Sequence, residues 1–223
     1  MRVAALLSGG KDSVAAARRA QLMGHHLTHL VTLHPQNPHS YMFHSSNTQL
    51  TALQAQAWGI THIQATTPGR KEEELQDLER VLDPLPIEGV VTGAIASNYQ
   101  ATRVNAVCGK LGLQALHPLW GIDPQTHLEW LTEHQVHTIF TAVAAHGLDQ
   151  TWLGRPLDNA AIERLKALNA QYGVHLCGEG GEYETLVLDA PWFSRRIQVE
   201  KAQKHWDGNS GVYHITLAHL APK

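Results

Sequence analysis

The sequence is poor in cysteine and in charge of either sign. Its 223 residues include two cysteines, Cys108 and Cys177, without CxxC spacing. Two isolated cysteines argue against a disulfide framework and a cysteine-based zinc site, and they are typical of a reducing compartment. A net charge of -3 argues against an extended electrostatic grip on nucleic acid, and a 43% share of hydrophobic residues argues against a disordered chain.

Long hydrophobic runs are also lacking. The first apolar run, residues 3–7, is too short for the core of a signal peptide, and no later run reaches the length of a membrane span. The 16 histidines are scattered without the third ligand that a zinc site needs, so we interpret them as solvated or hydrogen-bonded side chains. We therefore expect a soluble cytoplasmic protein with neither a membrane nor a nucleic acid as its partner.

Short apolar runs alternate with helix-forming stretches through the first half of the chain. The predicted strands are residues 3–7, 26–33, 60–66 and 89–93, and the predicted helices are 12–20, 48–58, 72–82 and 98–111. This alternation predicts an α/β fold, an open parallel sheet with helices on both faces.

The last third of the chain has a different pattern. It predicts helices over 124–134 and 159–172, a strand over 136–145, and two strands within 197–220 that are joined around residues 207–209. We predict a nucleotide-binding domain over residues 1–115, followed by a smaller α+β lobe for substrate recognition over residues 116–223.

A glycine–serine loop, residues 8–13, stands between the first predicted strand and the first predicted helix. Its two glycines allow a tight turn, and the helix N-terminus with serine and lysine donors favours a bound phosphate. The spacing is neither GxxxxGK[ST] nor GxGxxG, and a plain glycine turn is the alternative. The predicted phosphate ligands are Ser8, Gly9, Gly10, Lys11 and Ser13, and Asp12 is the predicted Mg²⁺ ligand.

Small residues follow the fourth predicted strand. In an open parallel sheet, ligands lie beyond the carboxyl ends of the strands, so small side chains there let a nucleotide approach the backbone. We predict that Gly93 and Ala94 contact the nucleotide, together with Arg103 one turn into the next helix. The alternative is a packing contact and a surface arginine.

An acidic segment, residues 177–185, combines three glutamates with three glycines. Clustered carboxylates repel one another and glycine costs conformational entropy, so a cationic ligand is expected there. A metal ion, an ammonium group or an amine would fit, with Tyr183 available for a cation–π contact. An exposed acidic hairpin is the alternative. We interpret the adjacent Cys177 as a small buried residue, not a nucleophile.

Together these motifs resemble a known family. The loop at residues 8–13 resembles the pyrophosphatase loop of the N-type ATP pyrophosphatases, the PP-loop superfamily. Across nearly the whole chain the sequence resembles the diphthine–ammonia ligase family. The residues that carry this resemblance are 8–13, 40–44, 93–95 with Gln100 and Arg103, Cys108 with 111–113, 118–120, 147–149 and 179–185.

The resemblance implies a Rossmann-like PP-loop domain, a smaller substrate lobe, and amidation of a carboxylate with ATP and ammonium to give AMP and pyrophosphate. It implies Mg²⁺ and ATP as cofactors, with Lys11, Asp12 and Ser13 acting in catalysis. The acceptor carboxylate would belong to a protein like elongation factor two or to a small molecule. The implied acceptor-binding residues are Ser97, Gln100, Glu179, Gly180, Gly181, Glu182, Tyr183, Glu184 and Thr185.

Two other functions remain open from the sequence. A tRNA-modifying PP-loop enzyme would share the glycine–serine loop, although paired CxxC motifs and a basic patch are lacking. An ATP-binding regulatory module without turnover is the second. Homo-oligomerisation is left open as well.

Overall fold

The computed structural model describes residues 1–36, 47–70 and 73–223, so residues 40–44 of the family resemblance lie outside the described residues. The chain divides into two compact units, Met1–Gly121 and Ile122–Lys223. The elements of the first unit are β1 (Arg2–Leu6), α1 (Lys11–Leu22), β2 (His26–Pro35), α2 (Thr51–Trp58), β3 (Thr61–Thr67), α3 (Glu73–Leu82), β4 (Gly89–Val91), α4 (Asn98–Leu111) and β5 (Gln114–Leu116).

The first unit is built on a parallel sheet with the strand order β3-β2-β1-β4-β5. From β1 the chain first proceeds to one side, through β2 and β3, and then returns to the other side of β1 with β4. The carboxyl ends of β1 and β4 therefore flank the point at which the strand order reverses, where ligands of such sheets bind. A core of strand and helix side chains, including Val31, Leu78, Val90 and Val104, fixes the layers.

The predicted parallel sheet with helices is confirmed, and one of its strands was missed. β5 was not predicted as a strand, because three residues are too few for a hydrophobic pattern. In β2 both faces are buried, with Val31 and Leu33 on one and Leu30 and Thr32 on the other. The reason is that β2 lies inside the sheet and is covered on both faces.

The second unit is built on an antiparallel sheet with the order β7-β6-β9-β8. Its elements are α5 (Pro124–Glu133), β6 (His137–Val143), α6 (Asn159–Tyr172), β7 (Tyr183–Asp189), β8 (Arg196–Trp206) and β9 (Gly211–Ala221). The predicted hairpin around residues 207–209 is confirmed as the β8–β9 ribbon.

The acidic segment is a loop only in part. Tyr183, Glu184 and Thr185 begin strand β7, where they pair with Val143, Ala142 and Phe140 of β6. A tyrosine and a threonine ahead of an aliphatic run favour a strand, and this overrides the loop that the glutamates and glycines predicted. None of the helices in the described ranges combines the length and apolar character that a bilayer crossing requires.

Candidate functional site

The glycine–serine loop joins the carboxyl end of β1 to α1. Gly9 has a φ angle of +89°, in the region that only glycine adopts without strain. Gly10 stands at the N-cap of α1, where it has no side chain to occupy the N-terminus of the helix. The N-terminus of α1 therefore has no side-chain cap, although its first turn carries Asp12, and an uncapped helix N-terminus favours an anion.

The two serines brace the loop from within. The hydroxyl of Ser13 donates to the carbonyl oxygen of Gly10 at 3.0 Å and accepts from the hydroxyl of Ser8 at 3.1 Å. The amide of Ser8 donates to Ser13 Oγ at 3.3 Å, and the amide of Gly10 donates to Ser8 Oγ at 3.4 Å. Both of these hydrogen bonds from backbone amides are longer than is usual for N–H···O contacts.

Two side chains from neighbouring elements bind backbone carbonyl oxygens at the start of the loop. Thr32 of β2 donates its hydroxyl to the carbonyl oxygen of Leu7 at 2.8 Å. Gln54 of α2 donates from Nε2 to the carbonyl oxygen of Gly9 at 2.9 Å. Both are enclosed, with exposed fractions of 1% for Thr32 and 0% for Gln54.

A buried ion pair stands at the start of α1. Lys11 Nζ lies 2.9 Å from Asp12 Oδ2, with exposed side-chain fractions of 3% and 26%. A lysine so enclosed needs an anionic partner, and Asp12 supplies it. Among residues 1–36, 47–70 and 73–223, no cluster of three or more His, Cys, Asp or Glu side chains is arranged to hold a metal ion.

Gly93 brings the segment after β4 against the glycine–serine loop. A Cβ atom on Gly93 would lie 2.8 Å from both the carbonyl carbon of Asp12 and the amide nitrogen of Ser13. Next to it, the amide of Ala94 donates to Thr92 Oγ1 at 3.1 Å, which holds the turn at the end of β4. Two of the three predicted clusters therefore lie side by side where the strand order reverses.

The remaining predicted residues of this unit lie on α4. Ser97 is its N-cap, and Ser97 Oγ accepts from the amide of Gln100 at 3.4 Å. The guanidinium of Arg103 lies 3.6 Å from the centre of the Tyr99 ring. Ser97 thus shapes the start of the helix, and Tyr99 orients Arg103.

The acidic segment of the second unit is organised around the carboxylate of Glu182. Its two oxygens accept from the amides of His175, at 3.0 Å, and Gly180, at 2.8 Å. His175 Nδ1 in turn accepts from the amides of Cys177 at 3.1 Å and Glu179 at 3.4 Å. Side chains of this segment therefore bind backbone amides, and Glu182 stabilises the turn.

Tyr183 supports the segment from the interior of the second unit. Its hydroxyl donates to the carbonyl oxygen of Leu176, its ring packs edge-on against Phe140 at 5.0 Å, and 4% of the residue is exposed. A Cβ atom on Gly178 would meet the Tyr183 carbonyl oxygen at 2.9 Å, so the turn needs glycine there. This ring has little surface left for a cationic ligand.

Neither cysteine has the surroundings of a nucleophile. Cys177 is buried and its Sγ donates to the carbonyl oxygen of Pro124 at 3.4 Å. Burial raises the pKa of Cys108 to about 11, which keeps that thiol protonated at neutral pH. The interpretation of Cys177 as a small buried residue is confirmed.

Sequence reasoning missed four residues of the first site. Thr32, Gln54, Thr92 and His117 are polar residues in or beside apolar stretches. The ring of His117 bridges Thr92 Oγ1, at 3.5 Å, and Asn105 Oδ1, at 2.9 Å, and burial lowers its pKa. The available signal was a threonine inside the apolar run of β2 and a glutamine among the alanines of α2.

The fold and the site together indicate the class of protein. A doubly wound parallel sheet with a glycine-rich loop at its switch point is a nucleotide-binding α/β protein. A solved chain described as a predicted subunit of tRNA methyltransferase from Methanocaldococcus jannaschii is 19% identical, with a TM-score of 0.48 over 86% of this chain and 98% of that chain.

Sequence comparisons then define the family. The diphthamide synthase N-terminal domain matches residues 1–115, and the diphthamide synthase C-terminal domain matches residues 123–220. Diphthine–ammonia ligase of Bos taurus is 36% identical over 91% of this chain and 84% of its own length, and that of Homo sapiens is 35% identical over the same shares. The Schizosaccharomyces pombe ligase is 37% identical over 88% of this chain and 36% of its own length. The chain belongs to the diphthamide synthase family.

Proposed function

We propose that this protein amidates a carboxylate with ATP and ammonium, and that it releases AMP and pyrophosphate. The observation that carries this proposal is the glycine–serine loop, which lies against Gly93 at the switch point of the sheet in a member of a ligase family. The curated relatives are named diphthine–ammonia ligase, so diphthine on a protein is the first acceptor to test.

The reaction needs activation because a carboxylate oxygen is a poor leaving group. An oxygen of the acceptor carboxylate attacks the α-phosphorus of ATP, and the bond from that phosphorus to the bridging oxygen of pyrophosphate breaks. Ammonia then attacks the carbon of the acyl-adenylate, AMP leaves, and the nitrogen loses a proton to solvent. The protein contributes mainly position and electrostatic stabilisation.

The residues of the first unit divide this work. The backbone of Gly9 and Gly10 and the hydroxyls of Ser8 and Ser13 would bind the departing pyrophosphate. Lys11 would offset its charge, and Ser13 would hold the loop closed around it. Gly93 and Ala94 would lie against the adenosine, with Arg103 near the phosphates.

Mg²⁺ fits this arrangement through Asp12. One carboxylate with phosphate oxygens and waters is a usual Mg²⁺ ligand set, and Asp12 is partly exposed beside the loop. When bound, Mg²⁺ would neutralise charge on the pyrophosphate leaving group. Asp12 would then exchange part of its contact with Lys11 for the metal ion.

We assign the acceptor to the acidic segment. Glu179 and Glu184 would bind the cationic group of the acceptor, since three carboxylates beside a triphosphate would repel it by several kcal/mol in a partly buried site. Glu182 and Tyr183 would shape the segment from within. The proposed supporting residues are Gly180, Gly181, Thr185, Ser97 and Gln100.

This assignment makes residues 1–115 the nucleotide-binding domain and residues 116–223 the substrate-recognition lobe. We place the reaction in the cytoplasm, which is supported by two cysteines that are buried and unbridged. Free ammonium or a partner would deliver the nitrogen, since neither cysteine is set up as a glutaminase nucleophile.

The products test the proposal. The protein is incubated with Mg²⁺, ATP, ammonium and a panel of carboxylates that begins with diphthine-bearing elongation factor, and nucleotides are separated by chromatography. AMP and pyrophosphate in equal amounts are expected with the right acceptor. Stoichiometric ADP would exclude adenylation, ATP retained without turnover across the panel would favour a regulatory module, and turnover with tRNA alone would favour a tRNA-modifying enzyme.

A further inference from the structure

We propose that Thr32 and Gln54 are positioning residues for pyrophosphate: they hold the carbonyls of Leu7, directly before the loop, and of Gly9, so that the amides of Ser8 and Gly10 are directed toward the bound anion. This inference rests on the proposed function of the glycine–serine loop and deepens it. It concerns residues outside the loop, on β2 and α2, that do not touch the reacting atoms.

The carbonyl contacts fix the direction of two peptide groups. In a trans peptide the carbonyl and the following N–H point in opposite directions. Because Thr32 holds the carbonyl of Leu7, the amide of Ser8 points away from β2. The same relation applies to Gln54, which holds the carbonyl of Gly9 and so directs the amide of Gly10 away from α2. Rotation of either peptide would break a buried hydrogen bond.

The two directed amides are only weakly engaged. The amides of Ser8 and Gly10 donate to the hydroxyls of Ser13 and Ser8 at 3.3 and 3.4 Å, while a typical N–H···O distance is about 2.9–3.0 Å. A phosphate oxygen is a charged acceptor and forms shorter, stronger bonds with amides than a hydroxyl does. Pyrophosphate can therefore take over both amides without breaking the carbonyl contacts behind them.

A histidine fixes the hydroxyl of Thr32 in its donating orientation. A threonine hydroxyl has one hydrogen, and Thr32 donates it to Leu7, so its second contact must be an acceptor contact. That contact is His62 Nε2 at 2.9 Å, which therefore carries the ring hydrogen and donates it to Thr32. Burial and the neighbouring His34 lower the pKa of His62 to about 4, so this arrangement persists at neutral pH.

The chain contains a matched comparison for Thr32. Thr28 on the same strand donates its hydroxyl to the carbonyl oxygen of Val3 at 3.2 Å, at the opposite end of β1. Thr28 also contacts a histidine ring, His29 Nδ1, at 2.8 Å. Both threonines donate to a backbone carbonyl, Thr28 to Val3 in β1 and Thr32 to Leu7 directly after β1, but only Thr32 acts next to the glycine–serine loop.

The experiment measures the binding of Mg²⁺-pyrophosphate by titration calorimetry, with thermal unfolding of each variant. Thr32→Val is expected to weaken binding about tenfold, equivalent to about 1.4 kcal/mol, while Thr32→Ser keeps the hydroxyl and restores affinity. Thr28→Val is expected to lower the Tm by about as much as Thr32→Val does, and to leave the affinity for pyrophosphate unchanged. Equal affinities of Thr32→Val and Thr28→Val would overturn the role of Thr32.

Gln54 is tested with Gln54→Met, which keeps a similar shape and removes the donor. Its control is Gln56→Leu, an exposed glutamine on the same helix. Binding by Gln54→Met is expected to be at least tenfold weaker than binding by Gln56→Leu, again by about 1.4 kcal/mol or more. Unchanged affinity of a folded Gln54→Met, or of Gln54→Leu where the methionine variant does not fold, would overturn its role.

Failure of the positioning role and failure of the proposed function give different results. If the wild-type protein binds neither Mg²⁺-ATP nor Mg²⁺-pyrophosphate, the assignment of the loop is wrong and the positioning role falls with it. If the wild-type protein binds both and the Thr32 and Gln54 variants bind equally well, the loop assignment stands and only the positioning role is wrong.

Discussion

The glycine–serine loop of the first unit and the acidic segment of the second unit are both held by hydrogen bonds from side chains to the backbone. The backbone groups that are bound differ between the two. At the loop, side chains of neighbouring elements bind carbonyl oxygens: Thr32 binds that of Leu7, directly before the loop, and Gln54 binds that of Gly9. In the acidic segment a carboxylate binds amides: Glu182 holds those of His175 and Gly180.

The two kinds of contact contribute charge of opposite sign. When carbonyls are held inside, amide hydrogens are directed outward, and the result favours an anion. Where a carboxylate binds amides, as Glu182 does, it adds negative charge to the segment, which favours a cation. Glycine serves both, because Gly9 and Gly178 adopt positive φ angles of +89° and +73°. Glycine content alone therefore does not reveal which kind of ligand a turn binds.

The largest expected effect tests the glycine–serine loop, the segment that is expected to bind an anion. Lys11→Ala removes the buried cation of the loop, and we expect turnover to fall about 100- to 1,000-fold, as it does when one charge-stabilising donor is lost at an active site. Steady-state release of pyrophosphate measures it. Lys110→Ala, at an exposed lysine paired with Glu79, is the control and should retain full turnover. Equal turnover of the two variants would contradict the role of Lys11.

The next effect tests the contact between the loop and the segment after β4. Gly93→Ala places a methyl group 2.8 Å from the backbone of Asp12 and Ser13, so the first turn of α1 must shift. We expect about 2–3 kcal/mol lower stability from overpacking, and weaker ATP binding. Gly109→Ala in α4 is the control, because a Cβ atom there would meet nothing within 4 Å. Alanine at this position should raise the stability of the protein by up to about 1 kcal/mol. Chemical denaturation and ATP titration measure both, and a Gly93→Ala protein as stable as Gly109→Ala would refute the contact.

Local signals account for what the sequence predicted well. The bounds of α4 and α6 were predicted to the residue, because each helix has a capping side chain before it, Ser97 or Asp158, and a glycine after it. The glycine–serine loop was predicted for the same reason, since all its special residues are contiguous. The strand pattern then indicated which end of the sheet holds the site.

Contacts between distant residues account for what was missed. Thr32 meets Leu7 across 25 residues and Gln54 meets Gly9 across 45, and a lone polar residue in an apolar stretch does not indicate which distant carbonyl it binds. Glu182 was predicted as a ligand because its charge was visible in the sequence. Its bonds to two backbone amides follow from how the turn closes, which spacing alone does not specify.

A smaller effect tests the cationic side of the comparison. Glu182→Gln leaves one oxygen to accept where Glu182 used two, so we expect about 1–2 kcal/mol lower stability from an unmade amide bond. Glu184→Gln is the matched variant on β7 and should lower turnover with the acceptor at nearly unchanged stability. ATP affinity should stay within about threefold in both, a change below roughly 0.7 kcal/mol. Loss of ATP binding in either folded variant would assign the segment to the nucleotide.

The smallest effect concerns acid, where the two units are expected to differ. The pKa of His62 in the first unit is lowered by burial and by His34 to about 4, below its ordinary value of 6.5. The folded state therefore favours the neutral ring, and the stabilisation from this group is complete above about pH 6.5 and is lost as the pH falls toward 4. In the second unit, the pKa of Asp149 is lowered below its ordinary 3.8, mainly by the hydrogen bond from the Thr151 hydroxyl, so its contribution persists until the pH falls below that value.

Between pH 6.5 and 4, the first unit should thus weaken while this carboxylate of the second unit still contributes. Allowing for the partial exposure of the ring, we expect His62 to account for about 1 kcal/mol of unfolding free energy over that range. Denaturation followed by hydrogen exchange resolves the two units, and His62→Gln retains a donor for Thr32 without a titrating ring. This variant should therefore lose less stability than the wild type between pH 6.5 and 4. If the unfolding free energies of the two proteins change with pH in parallel, the folded first unit does not favour the neutral ring of His62.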